Sequence, residues 1–130
     1  MCIRDRPQRP ELLCAPGNAG IAADARLLEI AGDEIDALVR AACDEAVDLV
    51  VVGPEAPLVA GLVDALAQAG VTAFGPTRAA AALEGSKEFA KQVMEAAGVP
   101  TARWSRARSV EDGMSAISSY PCLLYTSRCV

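Results

Sequence analysis

Apolar and polar positions along the chain switch between two periods. Residues 48–52 (Asp-Leu-Val-Val-Val) carry an apolar run with no alternation, the pattern of a parallel strand buried on both faces, and Gly53-Pro54 stops it. Shorter runs predict strands over residues 11–15, 26–30 and 71–74, and an extended piece over 102–105. Between them the apolar spacing becomes helical. Ile35, Leu38, Val39, Ala42 and Ala46 form one stripe, behind Asp33 as cap and Asp36 at the third helical position. Leu58, Leu62, Leu66 and Ala69 form another, on a helix with Pro57 in its first turn that runs to Gln68 and ends at Ala69-Gly70. Thr77 caps a short helix to Glu84, and Gly85 breaks it. Ser86 then caps a helix from Lys87 to Ala97, with Phe89, Ala90, Val93 and Met94 facing inward. Ser109 opens the last helix with a capping box, and Val110, Met114 and Ile117 share one side of it. The order β, β, α, β, α, β, α, α, β, α is that of an α/β protein with parallel strands.

Composition narrows the function classes. Of 130 residues 52% are hydrophobic, enough for a core, while only 4% are aromatic, too few for the stacking platforms of a single-strand nucleic-acid reader. A net charge of −5 opposes nonspecific binding to nucleic acid or to an anionic membrane. No apolar stretch approaches the roughly 20 residues of a membrane span, and no signal peptide opens the chain, so the cytoplasm is the expected compartment. Histidine is absent and the five cysteines form no Cys-x-x-Cys pair, which argues against zinc and against Ser-His or Cys-His nucleophiles. Cys14 and Cys43 read as small buried hydrophobes, Trp104 as core, Asp48 and Asp64 as solvated, and Lys91 as an exposed helix-former.

Three places carry candidate chemistry. Glu55 follows the strand of residues 48–52 at its carboxyl end, where open α/β sheets bind ligands. Its carboxylate suits a ribose diol or an amine; it equally complements the dipole of the helix that follows. Gly17, Asn18 and Gly20 offer backbone amides that an anion can approach, though a plain turn uses the same residues. Lys87 stands at a helix start, where the macrodipole disfavours a cation unless an anion lies opposite; a solvated surface lysine is the other reading.

These places recur together in one family. Residues 15–20 (Ala-Pro-Gly-Asn-Ala-Gly), 51–59 (Val-Val-Gly-Pro-Glu-Ala-Pro-Leu-Val), 74–90 (Phe-Gly-Pro-Thr-Arg-Ala-Ala-Ala-Ala-Leu-Glu-Gly-Ser-Lys-Glu-Phe-Ala) and 98–101 (Gly-Val-Pro-Thr) closely resemble, in order, the amino-terminal region of phosphoribosylamine–glycine ligase, also called glycinamide ribonucleotide synthetase. The resemblance implies an ATP-dependent ligase that joins glycine to 5-phosphoribosylamine in purine biosynthesis. The substrate cleft is then lined by Gly17, Asn18, Gly20, Pro54, Glu55, Ala56 and Pro57, and Lys87 meets the ATP phosphates. ATP and Mg2+ (or Mn2+) are the family's cofactors, neither expected to bind this chain strongly. No catalytic or metal-ligating residue is assigned.

Departures from the family pattern set the expected domain map. Residues 1–9 stand where the family has a first strand and a Gly-x-Gly-Gly-Arg-Glu-His turn. Residues 1–6 and 122–130 resemble translated sequencing-adapter DNA, so residues 1–9 and 122–130 are read as non-native ends. Residues 10–85 are expected to form a substrate-side α/β domain with an incomplete open parallel sheet, pre-ATP-grasp and Rossmann-like, and residues 86–121 the start of an ATP-grasp domain. Such a chain is expected to be inactive and marginally stable. Two alternatives are a fragment of another ATP-grasp carboxylase or ligase, and a stand-alone small-ligand-binding α/β module; Pro54-Glu55-Ala56-Pro57-Leu58 favours the first assignment.

Overall fold

The computed structural model describes residues 10–120; the expectations for residues 1–9 and 122–130 lie outside them. Among the described residues four short strands, β1 (Leu13–Cys14), β2 (Arg26–Leu27), β3 (Val50–Val51) and β4 (Ala73–Phe74), combine with six α-helices, α1 (Ile35–Asp44), α2 (Glu55–Ala60), α3 (Leu62–Gln68), α4 (Arg78–Gly85), α5 (Lys87–Ala96) and α6 (Val110–Ser119). The chain divides into two compact units after Arg78.

In the first unit all strand pairing is parallel. β1 pairs with β2 in the register Leu13↔Arg26 and Cys14↔Leu27, and β3 with β4 in the register Val50↔Ala73 and Val51↔Phe74. The α/β class is therefore as expected, and among the described residues the parallel pairs form two separate two-stranded sheets. Each predicted strand also shrinks to two residues, although the interstrand hydrogen bonds reach one residue further, from the Leu28 amide to the Cys14 carbonyl and from the Val52 amide to the Phe74 carbonyl. Residues 48–52 are not buried on both faces either. Val52 is buried and Val50 half-buried, while Val51 is 66% and its register partner Phe74 70% exposed. Only one face of this pair is covered.

The covered face meets α2 and α3. Val52, Leu58, Leu62, Val63 and Leu66 are buried, and Leu66, 1% exposed, is the most deeply buried side chain. Removing such a leucine from water stabilises by about 1.5–3 kcal/mol. α3 packs against α1, α2 and β4. The helix expected from Pro57 to Gln68 starts earlier, at Glu55, and is cut in two. Gly61 adopts φ 97°, a left-handed conformation that ends α2 and begins α3. Glycine permits that break, so Pro57 and Leu58 before it and Leu62, Val63 and Leu66 after it reach one core.

The α1 stripe is shorter than its spacing suggests. Ala42 is buried, and Ile35, Leu38 and Val39 half-buried. Ala46 lies past the helix end at φ 50° and is exposed. Cys43 sits one position round from Ala42 and is exposed, and Cys14 is half-buried, so neither is the buried hydrophobe expected. The cap is Glu34 rather than Asp33. Glu34 accepts the Ala31 amide at 2.8 Å, so its carboxylate serves the turn before the helix.

In the second unit the helix starts follow the sequence. Ser86 caps α5 through the Phe89 amide at 3.2 Å, and Ser109 and Asp112 form the expected capping box on α6. The apolar positions of α5 and α6, however, are not buried. Phe89, Val93 and Met94 are exposed, as are Val110, Met114 and Ile117. Residues 102–105 form no strand. Side chains hold that segment instead: the Trp104 indole N–H donates to Glu95 Oε1 at 2.7 Å, which leaves Trp104 half-buried rather than core. Lys91 donates to Thr101 Oγ1 and to the Ala102 carbonyl, so it is a tether and not a free surface lysine. Arg103 donates to the Ser119 carbonyl and stacks 4.6 Å over the Tyr120 ring.

Candidate functional site

The turn at residues 15–20 leaves the carboxyl end of β1. Gly17 takes φ 73°, and a Cβ there would lie 2.4 Å from Leu27 Cδ2, so β2 packs directly on the glycine. That contact gives Gly17 a structural purpose independent of any ligand. Asn18 closes the turn through its side chain. Its Oδ1 accepts the amides of Gly20 at 2.9 Å and Ile21 at 3.1 Å, starting a 3₁₀ turn over Ile21–Ala23. Of the candidate amides, that of Gly20 is thereby already engaged. Asn18 and Gly20 are exposed, and Gly17 is half-buried.

The turn after β3 is built differently. Pro54, at φ −72° and ψ 146°, caps α2, and Glu55 is its first residue. Glu55 and Ala56 are exposed whereas Pro57 is buried with Leu58, so this one turn anchors itself inward and presents a carboxylate outward. Among the described residues no hydrogen bond or ion pair engages the Glu55 side chain. Among the described residues one shallow depression is lined by Asp33, Glu34, Asp36 and Arg40 in the first unit and another lies around Trp104 and Asp112 in the second; Glu55 lines neither of these.

Lys87 belongs to the second unit. It is the first residue of α5, exposed, directly after its Ser86 cap. The structure thus assigns the candidates to three strand-end or helix-start positions, two in the first unit and one in the second.

Sequence reasoning missed Asp64. Its Oδ2 accepts the Arg78 amide at 2.7 Å, so a residue read as solvated fixes the first turn of α4. Asp64 and Arg78 stand 14 residues apart, and no local spacing rule joins them. The Gly75 turn that separates them is equally constrained. A Cβ on Gly75 would meet Leu58 Cδ2 at 2.9 Å and Val63 Cγ2 at 3.1 Å. Arg26 and Glu45 were missed as well. They pair through two hydrogen bonds, one of 2.9 Å, and tie β2 to the end of α1. The Arg26 hydrogen bond, opposed by burial, lowers the Glu45 carboxyl below the ordinary glutamate value. The same bond raises Arg26.

Parallel strands whose carboxyl ends run into Gly-Pro-punctuated turns define a parallel α/β domain, of the kind whose ligands bind along those ends. A family profile described as phosphoribosylglycinamide synthetase, N domain, matches residues 1–84, and the chain belongs to that family. It corresponds to the amino-terminal region of phosphoribosylamine–glycine ligase. It is 52% identical over 98 residues to the phosphoribosylamine–glycine ligase of Rhodopirellula baltica, a stretch that takes in 75% of this chain and 22% of the relative. Against that of Leifsonia xyli identity is 49% over 112 residues, 85% of this chain and 27% of the relative. Against that of Streptomyces coelicolor it is 56% over 97 residues, 75% of this chain and 23% of the relative. The chain therefore spans about a quarter of the length of the relatives it matches.

Proposed function

We propose that this chain is the substrate-side amino-terminal portion of an ATP-dependent, cytoplasmic ligase that joins glycine to 5-phosphoribosylamine, giving glycinamide ribonucleotide. The observation that carries the reading is the family match over residues 1–84, which includes both strand-end turns. On this reading Glu55 and its neighbours Pro54, Ala56 and Pro57 border the aminosugar, with the carboxylate accepting hydrogen bonds from ribose hydroxyls or the amine. Gly17, Asn18 and Gly20 shape the adjoining wall. Because Asn18 already holds the Gly20 and Ile21 amides, this turn contributes shape and not a full anion cradle. Lys87 offers its ammonium to the ATP phosphates from the start of α5. ATP supplies the energy for the amide bond when it is bound.

The metal does not fit these residues. Among the described residues no group of three or more His, Cys, Asp or Glu side chains comes together. The ligands for Mg2+ or Mn2+ belong to the part of the ligase that the relatives have beyond this match. By itself the chain is catalytically inactive. Residues 10–85 form the substrate-side domain and residues 86–121 open the ATP-grasp domain.

A chimera tests the reading, with residues 10–84 replacing the matching segment of the Streptomyces coelicolor relative. The expected result is a working ligase whose Glu55→Gln form shows a raised KM for phosphoribosylamine and an unchanged KM for ATP. An inactive but folded chimera, or a Glu55→Gln form with both constants unmoved, would overturn it. Glycine- and phosphoribosylamine-dependent ADP release by the unmodified chain alone would refute the inactivity.

A further inference from the structure

We draw no further inference here: the strongest candidate, the exposed apolar face of α6 formed by Val110, Met114 and Ile117, carries nothing because nothing in the structure shows what covers it.

Discussion

Leu66 and Gly75 carry opposite sensitivities within one small core. Leu66 is 1% exposed, so Leu66→Ala leaves a void and should cost about 2–5 kcal/mol. Urea titration followed by far-ultraviolet circular dichroism would give that loss; a cost under about 1 kcal/mol would mean that the core collapses to fill the space. Gly75→Ala errs the other way. Its new methyl meets Leu58 and Val63 at 2.9 and 3.1 Å, both on branched side chains with little room to move. Overpacking of this kind costs about 1–3 kcal/mol, and a denaturation midpoint equal to the parent's would refute the contact. At this scale Glu55 behaves unlike either residue. It is exposed, so Glu55→Gln should leave stability within about 0.5 kcal/mol of the parent, as surface substitutions do. Any large effect in the ligase chimera would then be an effect on substrate.

At the scale of elements, the Ser86 and Ser109 caps were legible in the sequence, whereas the α1 cap and the pairing partners were not. The Ser109–Asp112 box and the Ser86 cap lie within three residues of what they bond, so local pattern suffices. Ser109→Ala should reduce protection of α6 amides by about 1 kcal/mol, read by hydrogen exchange. Asp112 is held below the ordinary aspartate value, first by the Arg108 amide and then by the Ser109 side chain. Strand length was misread because an apolar run records burial preference, whereas a strand also needs a bonded neighbour. Val51 has one in Phe74, yet the outward face they share is bare. The α2–α3 break was misread because four leucine and alanine positions at helical spacing hide a glycine that leaves the helical region between them. Of the candidate site, the sequence located the strand-end turns. It could not say that Asn18 turns inward on its own loop.

The Arg26–Glu45 pair gives one element-scale dependence on pH. Glu45 titrates lower in the folded chain than when unfolded. Its stabilisation is therefore complete above the ordinary glutamate value, about 4.3. It fades as the pH falls through the lowered folded value. Arg26→Met should remove that acid-side slope, which a series of melts between pH 6 and about 3 would register as a flatter curve. Glu11, 3.6 Å from Arg26, is more exposed and contributes less.

Seen whole, the molecule keeps its buried side chains almost entirely in one unit and leaves apolar surface on both. Val51 and Phe74 lie side by side in register, and an exposed pair on a two-stranded sheet invites association. The isolated chain should self-associate at micromolar concentration. Phe74→Lys should shift it towards monomer in sedimentation velocity without lowering its helix content. An unmodified chain that sediments as a monomer throughout would contradict this. No helix among the described residues is long and apolar enough to cross a membrane.

Trp104, fastened to Glu95, is the only tryptophan in the chain, and both tyrosines, Tyr120 and Tyr125, follow it in sequence. Every strong near-ultraviolet chromophore thus lies beyond Arg78, while the leucine-rich core lies before it. An emission-monitored melt would follow the indole's surroundings and pass over the loss of Leu66's packing in silence. A tryptophan introduced at Phe74 would give the dark half a reporter of its own.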